Sequence, residues 1–238
     1  MADRVILILA GGRATRMGGG DKPLRLLAGQ PILAHVITRM EGPGRRLVLN
    51  ANGDAGRLAG FGLPVIADAM PDYPGPLAGI LAGLDWAAAH SDARHIITVP
   101  GDCPFLPQDL VERLEAAVCD ETPLSCAASG GRAHPVIGLW PLEHVSTRRA
   151  PVDRETMRHS IEQGSDFIKT KRSPGLRADL REALLAGERK IDRFTARFGC
   201  AQIEWPVAPH DPFFNINTLD DLEEAEAIAA LAEAAPSD

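Results

Sequence analysis

Aromatic residues are scarce, at 5% of the 238 positions. A surface for single-stranded nucleic acid needs flat side chains on which bases stack, so the composition argues against that class. Positive charge is short as well: 25 Lys and Arg stand against 32 Asp and Glu, a formal net charge of −7. No global basic field is present to recruit duplex DNA or RNA. The four cysteines (Cys103, Cys119, Cys126, Cys200) include no C-x-x-C pair. That argues against a zinc site and for buried free thiols in a reducing cytosol. No uncharged apolar run approaches the roughly 18 residues of a membrane span. The short apolar run after Arg4 has no cleavage-like context and reads as a first strand, not a signal peptide. A cytoplasmic protein is the default expectation.

What the chain has is a run of β-formers, Val5 to Leu9, that turns into a glycine-rich loop carrying Arg13, Arg16 and Lys22. Between Arg13 and Arg25 the cations are Arg13, Arg16, Lys22 and Arg25, and the one anion is Asp21. Glycines let a backbone approach closely, and unpaired N–H groups with nearby cations suit phosphate. A nucleoside triphosphate site is expected there.

The remaining pattern alternates. Val5–Leu9 is continuously apolar, as in a strand buried on both faces. Pro31–Met40 has helical spacing with Pro31 at the first position. Strands are expected at Arg46–Asn50, Pro64–Ala67 and Arg94–Pro100, and helices from the Asp72–Gly79 turn to about Ala89 and from about Gln108 to Val118. This is a mostly parallel sheet with helices on both faces. Such sheets bind ligands at the carboxyl ends of their strands. The glycine loop, Asn50, Asp68 and Asp102 all fall at such ends, although each also suits a turn or cap.

The second half is less regular. Leu124–Ala128 and Pro135–Trp140 read as strands joined through Gly130-Gly131. Ala178–Leu185 and Lys190–Phe198 read as helices, Gln202–Trp205 as a strand and Phe213–Asn217 as a short extended piece. Thr218 and Asp221 form an N-cap for a last helix to about Ala235. Residues Ser146 to Gly175 are basic and poorly patterned, which suits a solvated surface insertion, or a lid or partner surface over an anionic ligand.

Three phosphate motifs can be excluded. Lys22 lies between Asp21 and Pro23, so the P-loop pattern fails. Pro23 takes a glycine position of the dinucleotide fingerprint and the second strand ends in Asn50, so that fails too. No kinase set accompanies the loop.

What remains is Leu9-Ala-Gly-Gly-x-x-x-Arg16-Met-Gly-Gly-x-Asp-Lys22, with Gly29-x-Pro31 beyond it. Asn50-Ala-Asn52, Asp68, Asp72-Tyr-Pro-Gly-Pro-Leu-Ala-Gly79, Asp102-x-Pro104, Arg132-x-His134-Pro135, Gly187-Glu-Arg189 and Asn215-Ile-Asn217-Thr218 follow in order. This set closely resembles the nucleotidyltransferase superfamily, and within it the molybdenum cofactor guanylyltransferase family, over nearly the whole chain. The basic segment 146–175 is the departure from that pattern. The resemblance implies one three-layer, Rossmann-like nucleotidyltransferase domain over 1–238, with a GTP-binding half (1–105) and a molybdopterin-binding half (120–238). It implies transfer of GMP from GTP to the terminal phosphate of molybdopterin or its molybdenum-loaded form, giving the guanine dinucleotide cofactor and pyrophosphate.

By the same resemblance, Arg16, Lys22 and Asp102 are the catalytic group, and Asp102 anchors Mg²⁺. Leu9, Ala10, Gly11, Gly12, Lys22, Asn50, Asp68 and Asp102 bind GTP, with Leu9 to Gly11 lining the guanine through backbone groups. Gly79, His134, Asn215 and Asn217 are weaker candidates for the pterin side; Gly79 and Gly83 would leave a smooth patch for close ligand approach, or for helix–sheet packing. GTP and molybdopterin are the expected partners, with transient contact to a cofactor carrier or apo-enzymes left open and neither nucleic acid nor membrane expected. Two other readings stay open: a cytidylyl- or sugar-1-phosphate nucleotidyltransferase of the same fold, and a non-catalytic cofactor-delivery protein.

Overall fold

A computed structural model of the protein describes residues 3–11, 21–70, 75–142 and 175–234. The chain begins with strand β1 (Arg4–Leu9), a small hairpin of β2 (Leu26–Leu27) and β3 (Gln30–Pro31), and helix α1 (Ile32–Met40). Strands β4 (Arg45–Asn50) and β5 (Val65–Ile66), helix α2 (Pro76–His90), strand β6 (His95–Pro100) and helix α3 (Leu110–Ala116) follow. The second half holds β7 (Leu124–Ser129), β8 (Arg132–Pro141), α4 (Leu176–Leu185), α5 (Ile191–Thr195), β9 (Cys200–Trp205) and α6 (Leu219–Ala234).

Seven strands form one sheet in the order β5-β4-β1-β6-β8-β7-β9. β1 pairs in parallel with β4 and β6, β4 with β5, and β7 with β9, while β8 runs antiparallel to both β6 and β7. Reversal of one strand has a consequence for the site. The start of β8 lies at the same sheet edge as the ends of the other six.

Continuous apolar strands need two covered faces, and both are covered. Ile6, Ile8, Leu49, Ile97 and Val99 pack with Leu33 and Val36 of α1 and Leu110 and Leu114 of α3. Val5, Leu7, Val48 and Ile96 point the other way, onto Ile80 and Leu84 of α2, Leu180 of α4 and Phe194 of α5. Each such fully buried side chain stabilises the fold by about 1.5–3 kcal/mol. A third cluster (Leu27, Ile32, Phe105, Ile216, Ala225) seats α6 against the small hairpin.

Several expectations need correction. Pro31 stands at the N-cap of α1, extended at ψ 139°, and not inside the helix. Helices α3 and α5 are shorter than their patterns suggested. Phe213–Asn217 joins no strand; it is irregular chain held by local bonds. The thiols are free, but Cys119 is exposed and Cys200 only half-buried, so two of the four are not core groups. Among the described residues no helix is long and apolar enough to cross a membrane.

Candidate active site

Lys22 opens a short 3₁₀ turn, Lys22–Leu24, and its side chain is taken into the protein, leaving the residue 8% exposed. Its ammonium makes an ion pair with Asp102. It also donates to Asn217 Oδ1 at 2.6 Å and to Asn215 Oδ1 at 3.4 Å. An ammonium has three donors, and three acceptors from two distant stretches of chain surround this one. Burial raises the pKa of Asp102, and the Lys22 charge works against that rise.

The three acceptors are themselves fixed. Asp102 lies just beyond the end of β6, and its carbonyl accepts the Ile216 N–H at 3.1 Å. Downstream, the Asp221 carboxylate accepts the N–H groups of Asn217 (2.7 Å) and Thr218 (2.8 Å), and Thr218 Oγ1 accepts the Asp221 N–H at 3.1 Å. This reciprocal cap satisfies the orphan donors at the start of α6. The helix start thereby holds Asn217 in place against Lys22.

A second group stands at the ends of β4 and β5. Asn50, 4% exposed, donates to Asp68 Oδ1 at 3.0 Å and to the Ile66 carbonyl at 3.3 Å. Asn52 donates to Asp68 Oδ2 at 2.6 Å and accepts the Asp68 N–H at 2.9 Å. Gly79 of α2 lies under Asn50. A Cβ there would stand 2.3 Å from Asn50 Oδ1 and 3.0 Å from Leu9 Cδ2. The expected close approach of a ligand at Gly79 is therefore corrected: the protein's own Asn50 fills that space. Gly83 likewise meets Leu7 at 2.5 Å, which is helix–sheet packing.

At the end of β1, the Ala10 N–H donates to the Asn50 carbonyl (2.8 Å), and the Leu9 carbonyl accepts the Gly101 N–H (2.9 Å). Those two backbone groups extend the sheet. Gly11 is exposed. Gly12, Arg16, the Gly18-Gly19 pair, Asp72 and most of the basic 146–175 segment lie outside the described residues.

A cleft of about 420 Å³ adjoins Lys22, lined in part by Cys103, Arg132, His134, Asp211, Asn215 and Asn217. His134 Nε2 lies 2.7 Å from Ser129 Oγ, and Ser129 donates to Asp211 Oδ2 at 3.1 Å. The His134 ring packs 5.1 Å from that of Phe213. Burial pushes the His134 pKa down; Asp211 opposes this, Arg132 adds to it and Glu204 opposes it. Cys103 is fully enclosed beside Asp102, and burial pushes its thiol well above the ordinary value. A cavity of about 480 Å³ elsewhere is lined by Ser91, Arg94, Leu142, Arg177 and neighbours, and shares no residue with these groups. The strand-end cleft is the better candidate, because convergent polar side chains meet there.

The structure thus brings Lys22, Asp102, Asn215 and Asn217 together, places Asn50 and Asp68 side by side, and sets His134 in the adjoining cleft. The sequence reading missed Asn52, Ser129 and Asp211 as site residues. Ser129 ends a parallel strand, as Asn50 does, which is the one signal that could have found it.

Known proteins bear on this arrangement. The description "MobA-like NTP transferase domain" matches residues 6–167. A molybdenum cofactor guanylyltransferase of Bradyrhizobium sp. (strain ORS 278) is 51% identical over 228 residues, covering 94% of this chain and 92% of its own. One from Rhodopseudomonas palustris (strain BisB5) is 52% identical over 226 residues, with the same coverage. Among solved structures, molybdopterin-guanine dinucleotide biosynthesis protein A from Archaeoglobus fulgidus superposes with a TM-score of 0.65 at 22% identity, over 95% of this chain and 99% of that one. That likeness shows the nucleotidyltransferase fold. With the sequence matches spanning almost its whole length, the chain belongs to the molybdenum cofactor guanylyltransferase family of nucleotidyltransferases.

Proposed function

We propose that this protein transfers GMP from GTP to the terminal phosphate of molybdopterin, bare or molybdenum-loaded, and releases pyrophosphate in the cytoplasm. The observation that carries this reading is the buried Lys22, held between Asp102 and the Asn215/Asn217 pair at the edge where the strands end.

The reaction needs little covalent help. An oxygen of the acceptor phosphate bonds to the α-phosphorus of GTP, the bond to the β-phosphate bridge breaks, and pyrophosphate leaves with those electrons. The nucleophile is already anionic at neutral pH, so no general base is required. The barrier is electrostatic, an anion attacking a polyanion, and preorganised positive charge lowers it. Lys22 supplies that charge from a position fixed before substrate arrives. Arg16, on the glycine loop, is assigned to the same triphosphate.

Mg²⁺ suits the donor set. Among the described residues no cluster of three or more His, Cys, Asp or Glu side chains forms a closed cage. Mg²⁺ is commonly held by one or two carboxylates with substrate phosphates and water completing its shell, and Asp102 is a hard oxygen donor at the strand-end edge. When bound, the ion neutralises phosphate charge. The residues' own part is to aim: Asn215 and Asn217 hold the Lys22 ammonium, and the Asp221 cap holds Asn217.

For the base, Asp68 keeps acceptor capacity beyond its two amide partners, beside Asn50, whose carbonyl accepts the Ala10 N–H. We assign guanosine recognition to this corner. Two measurements test the reading. Purified protein with GTP, Mg²⁺ and molybdopterin should release pyrophosphate stoichiometrically with dinucleotide. In a thermal-shift panel GTP should raise Tm more than CTP, ATP or UTP. Preferential stabilisation by CTP would overturn the nucleotide assignment.

A further inference from the structure

The strand-end edge carries one polar chain that the transfer chemistry above does not use. Asp211, Ser129 and His134 are linked in that order, from the loop before Phe213, the end of β7 and the start of β8. We propose that Asp211 and Ser129 are positioning residues that fix His134 as its Nε2–H tautomer, so that the ring offers Nδ1 as a hydrogen-bond acceptor to the heterocycle of the acceptor substrate in the cleft. The ligand part of this inference rests on the reading of the acceptor as a pterin.

The direction of the chain follows from counting protons. An ionised carboxylate only accepts. At 3.1 Å from Asp211 Oδ2, the Ser129 hydroxyl must donate to it. A hydroxyl has one proton, so Ser129 Oγ has only lone pairs left for His134 Nε2 at 2.7 Å. The ring therefore carries its proton on Nε2. A neutral imidazole has one N–H, which leaves Nδ1 bare. Burial keeps the ring below its ordinary pKa; of the charged groups around it, Asp211 and Glu204 oppose that and Arg132 reinforces it.

The same count excludes a hydrolase-like triad. In that arrangement the histidine stands in the middle and takes the serine proton. Here the serine stands in the middle and its proton is committed to the carboxylate. A bare lone pair would repel a phosphate oxygen. It suits the amino and ring N–H groups of a 2-aminopyrimidinone-type heterocycle. His134 thus becomes a selector for the acceptor's ring and not for its charge.

Two variants separate this from a merely structural bond. In Asp211→Asn, Oδ1 can still accept the Phe213 N–H, a bond of 2.9 Å in the native chain, but the amide nitrogen now donates to Ser129. The hydroxyl then turns to Nε2, and His134 must switch to the Nδ1–H tautomer. Ser129→Ala removes the relay with little loss of volume and serves if the first variant folds poorly. Full-length protein labelled with ¹⁵N-histidine is examined by NMR at neutral pH. The expected result is Nε2–H in the wild type, Nδ1–H in Asp211→Asn and no fixed preference in Ser129→Ala. With GTP saturating, both variants should raise KM for molybdopterin by roughly 3- to 10-fold, the worth of one neutral hydrogen bond, and leave KM for GTP unchanged. A wild-type ring that is Nδ1–H or doubly protonated overturns the relay, as does an Asp211→Asn tautomer identical to wild type. A switched tautomer with unchanged acceptor KM overturns the ligand assignment. If the wild type transfers nothing to molybdopterin, the functional reading fails and takes the ligand assignment with it, while the NMR result still decides the relay.

Discussion

Lys22 and Asp102 form the pair on which the site depends, and neither was expected to be bonded to the other. Their side chains are only 10% and 16% exposed. Removing one partner of a buried pair strands the other charge. Lys22→Met should therefore destabilise the fold by up to about 3 kcal/mol at neutral pH, the low end of the range for buried pairs because Asp102 keeps some contact with water. The sign of the pH dependence follows from Asp102. Burial already raises its folded-state pKa above the unfolded value, and loss of Lys22 raises it further. As pH falls, the native state of the variant takes up that proton before the unfolded chain does, and a neutral carboxyl needs no cation. The deficit against wild type should be largest at neutral pH and shrink on the acid side, as urea-unfolding midpoints would show. A deficit independent of pH would contradict the pairing. Activity should fall separately: kcat/KM for GTP by about 10²–10³-fold, as for loss of one preorganised charge-stabilising donor.

Helix α2 shows how one element serves both packing and site. Its two glycines stand one turn apart and look equivalent in the sequence. Gly83 faces Leu7 in the core, and Gly79 faces Asn50 at the strand end. Adding a methyl group at either position overpacks a filled space and should cost about 1–3 kcal/mol. The functional outcomes should part. Gly79→Ala must displace Asn50, whose amide also holds Asp68, so KM for GTP should rise. Gly83→Ala should lower Tm without moving KM. Equal kinetic effects from the two variants would count against a nucleotide role for the Asn50–Asp68 corner. Helix α6 offers a parallel. Its cap was legible as Thr218 and Asp221, but its second task, anchoring Asn217 for Lys22, depends on a contact spanning some 195 positions and was not.

Across the whole molecule, the reversed strand β8 is what joins the two halves of the sheet. The β6–β8 junction is sealed by Trp140, whose indole N–H donates to Thr98 Oγ1 at 2.9 Å, while the Thr98 hydroxyl donates to the Val136 carbonyl at 2.6 Å. Thr98→Val would leave a buried indole N–H without a partner, a loss of about 1–3 kcal/mol. Because the sheet is continuous from β5 to β9, that loss should move one cooperative transition. Far-UV circular dichroism and tryptophan fluorescence should give coincident unfolding curves in the variant and the wild type. Two separated transitions would mean that the 1–105 and 120–238 portions unfold independently.

Local pattern determined much of this protein. Continuous apolar runs can be buried only between two helix layers, so the order of strands and helices and the parallel sheet followed from hydrophobic spacing alone. Strand-end polar residues marked the edge at which the candidate site gathers. The run of motifs from Leu9 to Thr218 carries the resemblance to its family. Tertiary structure decided what spacing does not encode. It showed that Lys22 is buried on Asp102, that Gly79 makes room for Asn50, and that the reversal of β8 carries His134 to the strand-end cleft beside Ser129 and Asp211. Apart from His134 and Ser129, neighbours on one hairpin, these are contacts between residues far apart in sequence. A hydrogen bond or an ion pair is set by positions in space, and those positions exist only after the two buried faces of the sheet have closed.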